Sequence, residues 1–324
     1  MREVGAGMVQ CRKGAETNPS RTTGCSGKSD GTPPAKDHPT SFHSNPTKDT
    51  NMRYAPKALL VAAMTTAAFG ASVAHAQTAA PAAAPATPEH TLTANGGLFS
   101  EYIFRGISQT AGKPAVQGGF DYAHASGFYL GTWASSISWL QDFGAYTRSS
   151  LEWDFYGGYK NTIPGADDWS YDVGLLYYYY PGTANPGVTK ADTLEGYVGI
   201  GWKWLSAKAS YNFKDYFGAK PIGESTKGTW YFDLSATYPL GDSGASLVAH
   251  YGILDVKKDG SGAGKVSYDD WKLGVAYTIP DGLMKGVEVG AYYAGNNAEE
   301  GFYTDLTGYN TAKDRGVVYL KKTF

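Results

Sequence analysis

Beyond Cys25 this chain has no cysteine; Cys11 and Cys25 are its only two, and both lie in an opening stretch unlike the rest. A disulfide framework and a thiolate metal site are thereby excluded from the main body. Histidine is nearly as scarce there: His90 lies beside a leader, His124 beside a short turn and His250 within a strand pattern, none in a nucleophile motif. A hydrolase needs a nucleophile, a base and an orienting group, so the residues point to no enzyme. Basic runs are missing too. From Gln77 on, 19 Lys plus Arg stand against 25 Asp plus Glu, a net charge of −6, which argues against nucleic acid as a partner. After residue 76 no apolar run approaches the roughly 20 residues a membrane-spanning helix needs.

What is there divides the chain. Residues 1–51 are rich in Ser, Thr, Gly and Pro, show no periodicity, and are expected to be an extension outside the folded protein. At Met52 a secretory signal peptide begins: Arg53 and Lys57 supply the positive start, Ala58–Ala74 the apolar run, and Ala74-His75-Ala76 the small-residue end, with cleavage between Ala76 and Gln77. Because such a peptide works at an N-terminus, translation is expected to start at Met52, a genuine long pre-region being the alternative. Residues 77–89 form a Pro- and Ala-rich leader, and 90–324 the folded part.

That part is rich in Tyr, Trp and Gly and alternates in period two, which needs strands. Leu194, Val198, Ile200, Trp202 and Trp204 oppose Glu195, Tyr197, Gly199, Gly201 and Lys203; Trp271, Leu273, Val275 and Tyr277 oppose Asp270, Lys272, Gly274 and Ala276. The runs from Leu151 and Trp230 repeat the pattern. About twelve strands emerge, starting near Leu92, Ala115, Phe128, Ser150, Trp169, Asp192, Leu205, Gly228, Ala245, Tyr268, Gly286 and Arg315. Their connections alternate long and short, with Asn161–Asp168 among the short turns. Such a chain is expected to form an all-β, closed antiparallel transmembrane β-barrel after a cleaved signal peptide, since in hydrocarbon only closure satisfies every strand. A soluble sandwich would put charge, not rings, on its outer face.

Aromatic clusters at Tyr177–Tyr180, Trp202 and Trp204, Tyr216 and Phe217, Trp230 and Tyr231, and Tyr292 and Tyr293 fit two interfacial girdles. Ser100-Glu101-Tyr102-Ile103-Phe104-Arg105-Gly106-Ile107-Ser108-Gln109 resembles the opening motif of the TorF-type family of outer-membrane porins, although Glu101 replaces the more usual Asp. Gly119-Phe120-Asp121-Tyr122, Gly127–Trp133 and the closing run to Phe324 extend the resemblance over 90–324. It implies an outer-membrane barrel of a Gram-negative bacterium whose solute is not established. A terminal Phe324 resembles the signal by which such barrels are assembled; Lys322 departs from the apolar residue usual at that place.

For a wet lumen the inward positions offer Glu101, Arg105, Asp121, Glu152, Asp154, Lys160, Asp172, Glu195, Lys203, Lys208, Lys214, Asp233, Lys272 and Glu288. Charges of both signs across a narrow bore favour polar solutes, so a diffusion channel for small polar solutes is the expected function. Pairing of the same charges into bridges that rigidify a closed barrel is the plainer alternative. Glu101 and Arg105, four apart along a strand, would share one face about 13 Å apart, with Arg105 near the outer mouth. A closed-lumen adhesin or receptor would look the same in sequence, and an outer-membrane lipase is a third reading. No cofactor or metal is called for, since the acidic pairs Asp167-Asp168, Asp269-Asp270 and Glu299-Glu300 lack EF-hand spacing. Lipid, lipopolysaccharide and the barrel-assembly machinery are the expected partners; oligomeric state stays open.

Overall fold

A computed structural model describes residues 88–221, 223–259 and 265–324. The expected extension, the signal peptide and nearly all of the leader lie outside the described residues. In chain order the strands are β1 (His90–Phe99), β2 (Ile103–Phe104), β3 (Ile107–Ser108), β4 (Ala115–His124), β5 (Phe128–Ser136), β6 (Tyr146–Arg148), β7 (Leu151–Ile163), β8 (Ala166–Tyr179), β9 (Thr183–Ala184), β10 (Thr193–Trp202), β11 (Leu205–Asn212), β12 (Trp230–Pro239), β13 (Ala245–Asp255), β14 (Tyr268–Thr278), β15 (Val287–Asn296) and β16 (Arg315–Thr323). Twelve of them close into a barrel in the order β1-β16-β15-β14-β13-β12-β11-β10-β8-β7-β5-β4. Every neighbouring pair is antiparallel, and β1 closes the ring on β16 with Asn95 opposite Thr323 and Phe99 opposite Tyr319. The sequence expectation of a closed twelve-stranded antiparallel barrel is met.

Period two explains the wall. On β14 Trp271, Leu273, Val275 and Tyr277 stand exposed on the outside while Asp270, Lys272, Gly274 and Ala276 turn inward. The same division runs round the ring through Phe120, Leu130, Phe155, Val173, Val198, Phe232, Ile253 and Leu320, all exposed. An uninterrupted apolar exterior of this extent is stable against lipid tails and not against water. Rings gather at both rims of that surface. Trp169, Trp202, Trp204 and Tyr238 contact one another in series where strands meet the short turns; Tyr211, Phe213, Trp230 and Phe232 do so at the other end.

Several expected girdle residues belong elsewhere. Tyr178, Tyr180, Tyr216 and Tyr231 are buried, and Tyr292 sits on the inward face of its strand. Alternation is the reason: in a run such as Tyr177–Tyr180 successive rings must point to opposite sides. Strand β8 also begins earlier than expected, at Ala166, so the turn after β7 is only Pro164-Gly165. The six long connections all leave one end, and the short turns and both strand termini occupy the other. Inside the long connections lie the unforeseen ladders β2-β3 and β6-β9, and the one-turn helices α1 (Trp139–Asp142) and α2 (Glu300–Tyr303).

Candidate functional site

The chain leaves β1 at Phe99 and, instead of rising into solvent, bends into the bore. Strands β2 and β3 form a hairpin whose two-residue tip, Arg105-Gly106, has positive φ at both positions, +47° and +75°. That is the backbone of a tight turn matched to strand twist. Gly106 is required for a second reason: a Cβ there would run into the side chains of Asp270 and Asn296. Its tip is bonded to β14 and to the end of β15, three and two staves round the ring from β1. Tyr268 donates its hydroxyl to the Arg105 carbonyl at 2.8 Å, and the Asn296 amide donates to the Gly106 carbonyl at 2.8 Å. Glu101 fixes the base. Its Oε1 accepts from the Ser108 hydroxyl, the Gly112 amide (3.0 Å) and the Tyr309 hydroxyl (3.2 Å), and faces Arg315 Nε at 3.4 Å.

Glu101 and Arg105 therefore do not share a strand face as the spacing suggested. The strand ends before them, because the hairpin gains partners across the lumen that an extended stave would lack. Arg105 is buried (4% exposed) and its Nη2 donates to Glu195 at 2.8 Å. Burial alone would lower its pKa, but Glu195, with Tyr216 and Tyr178, outweighs this and holds the guanidinium charged. Around it stand two more buried carboxylates. Glu152 accepts from Tyr102 (2.7 Å) and Tyr180 (2.6 Å); Asp154 Oδ1 has no hydrogen-bond partner among the described residues. Burial, then the charge of Glu152, push the Tyr102 hydroxyl well up, so it stays a donor.

A second group lies on the wall beside the tip. His250 is held between carboxylates, with Nε2 2.7 Å from Asp270 and Nδ1 3.3 Å from Asp233, while Tyr231 bridges His250 and Asp270 at 3.0 and 2.9 Å. Nε2 is engaged by both Tyr231 and Asp270, while Nδ1 faces Asp233 without a hydrogen-bond partner among the described residues. The remaining inward charges sit among tyrosines. Tyr156 donates to Asp121 and Tyr129 to Asp172, Lys208 lies over the Tyr197 ring, Lys272 over Tyr292, and Tyr319 donates to Glu288 at 2.7 Å. Lys160 is half-buried on β7, in register with Asp172 of β8. Gly131, Gly174 and Gly290 give those rings room, since a Cβ at each would collide with Tyr156, Tyr197 and Tyr319.

Two expected lumen residues stand apart. Lys203 is on the turn after β10, paired with Asp168 at 3.2 Å, and Lys214 lies beyond β11 over the Tyr177 ring. Both fall past the last ladder pair, where alternation no longer fixes a side. A grouping that sequence reading left as separate residues is Glu89, His90 and His124, whose ligand atoms lie within 4.8 Å of one another at the short-turn rim. The register His90 opposite His124 brings them together.

Residues 82–324 match a family described as a bacterial protein of unknown function (Gcw_chp). The chain belongs to this family. The Gcw_chp match takes in all twelve staves and the hairpin. No curated protein matches. Solved structures similar to this Gcw_chp chain include the KdgM porin (10% identity, 72% of this chain and 98% of that one, TM-score 0.41) and the NanC porin (12%, 72% and 99%, 0.42). OccAB3 of Acinetobacter baumannii is similar at 11% identity over 74% of this chain, TM-score 0.37. The chain spans 65% of the length of OccAB3 and of OccD1.

Proposed function

We propose that the protein is a porin-like channel of a Gram-negative outer membrane, of the TorF type its opening motif resembles, passing small polar solutes by diffusion. One observation carries this: the wall is apolar outside and charged inside. Asp121, Asp172, Lys208, Lys272 and Glu288 occupy inward positions that a merely packed barrel would fill with aliphatic side chains. With Glu152, Asp154, Lys160, Glu195 and Asp233 they form the lining of the path, and Lys203 and Lys214 stand at its rims. Lipid and lipopolysaccharide cover the exterior, and Phe324, exposed after β16, is offered to the assembly machinery.

The hairpin tip is bonded to β10, β14 and β15. A strand pair tied down this way in the bore favours a second reading, a closed-lumen receptor or adhesin. Planar-bilayer recording separates the two. As a channel, the protein gives small discrete current steps, and a variant lacking residues 104–107 gives steps several-fold larger. A heat-modifiable barrel that stays silent in both forms supports the receptor.

A further inference from the structure

We infer that the outer lumen is a binding site for organic cations, compounds bearing a guanidinium or alkylammonium group, and that Arg105 occupies it as a tethered stand-in for the solute. This rests on the channel reading and names its solute class.

The first support is the chemistry around the guanidinium. Arg105 Cζ lies 4.1 Å from the centroid of the Tyr231 ring and 5.7 Å from that of Tyr216, both outside the hairpin, with the Glu195 carboxylate at 2.8 Å. Aromatic faces plus a carboxylate are what a weakly hydrated planar cation requires, and they suit an alkylammonium as well. Glu195 is itself positioned for this: Asn212 donates to its other oxygen at 3.2 Å, and Tyr178 stands at 3.4 Å.

The second support is charge. Glu152, Asp154 and Glu195 are each buried near the tip, and the Arg105 guanidinium is bonded to Glu195. The neighbouring His250 is already engaged by Asp233 and Asp270. Asp154 Oδ1 lacks any hydrogen-bond donor among the described residues. Once the hairpin withdraws, the three carboxyl groups keep no ion pair among the described residues. Buried carboxylates without counter-charge are costly, so an entering cation is stabilised and an anion repelled.

The third support is that the present occupant is held imperfectly. Arg105 Nη1 is buried without a hydrogen-bond partner among the described residues, and Arg105 itself adopts the left-handed backbone region. An unpaired buried donor and a non-glycine residue at positive φ are each destabilising. A free cation pays neither cost, so it can compete with the tethered one.

The probe is agmatine, which carries a guanidinium at one end and an ammonium at the other. The protein is the full barrel with Arg105→Ala, checked for heat-modifiable migration. Calorimetric titration should show saturable agmatine binding, at least tenfold weaker when Glu195→Gln is added, and no binding of succinate. In bilayers agmatine should block the current of the Arg105→Ala channel. Should Arg105→Ala not assemble, the native hairpin is followed instead. The chain has no cysteine beyond Cys25, so a fluorophore on Lys113→Cys in the mature form reports hairpin release, which agmatine should promote and succinate should not. A folded Arg105→Ala barrel that ignores agmatine, or a native hairpin unmoved by it when that variant fails, overturns the proposal. Agmatine binding without current in any variant removes the channel and keeps the cation site; current indifferent to agmatine does the reverse.

Discussion

The Asp305 carboxylate accepts hydrogen bonds from the Thr307 hydroxyl at 2.7 Å and from the amides of Thr307 and Tyr309 at 2.8 and 3.0 Å. Burial alone would raise its pKa, but these donors outweigh it and hold the group below the ordinary carboxylate range. A depressed pKa means the stabilisation is complete above the unfolded value of about 3.9 and disappears as pH falls through the folded value. Exchange protection of the Thr307 and Tyr309 amides should therefore hold from neutral pH down to about 4 and fall below it. In Asp305→Asn the acceptor oxygen survives without a titrating proton, so the acid loss should flatten; an unchanged acid profile in that variant would refute the assignment. Asp-x-Thr is a readable local turn signal, since a short side chain bonding its own backbone needs no distant partner. Arg105 was legible as an inward charge but not as the tip of a plug. Its partners, Glu195 and Tyr231, are remote in sequence, and alternation says nothing of them.

At the scale of elements, staves and hairpin obey different constraints. A stave is specified by its own alternation, so its start was legible wherever a turn signal punctuates it, as at Ser126-Gly127 before β5. It was misplaced where polar residues continue the ladder, as at Asn161 and Thr162 opposite Tyr171 and Ser170, because Asn and Asp read as turn while backbone pairing persists. The hairpin has the opposite difficulty. Ile103-Phe104 and Ile107-Ser108 read on from β1 in period two, and only contacts across the bore turn them inward. For a stave the constraint can be tested on one residue. Leu273 lies at the centre of β14 and is 60% exposed on the outer face. Leu273→Arg should destabilise the barrel by about 2–4 kcal/mol in reversible urea unfolding from lipid vesicles. Leu273→Ile should fall within ~1.5 kcal/mol, as volume-conserving swaps do. Equal costs for the two would mean the face does not meet hydrocarbon.

The molecule as a whole has one polarity, and the placement of the plug follows from it. An even number of strands puts both strand termini at the short-turn end, which in outer-membrane barrels faces the periplasm. On the proposed outer-membrane reading the hairpin then hangs from the external end, and whatever releases it would act from outside the cell. Gly187 lies in the long connection before β10 and Gly282 in the short turn before β15; both have positive φ with open space where a side chain would project, so an inserted epitope need not disturb the ladder. On intact cells an antibody should bind the epitope after Gly187 and miss the one after Gly282, which becomes accessible only once the outer membrane is permeabilised. The reverse order of accessibility would place the hairpin at the periplasmic mouth and make its release an internal event.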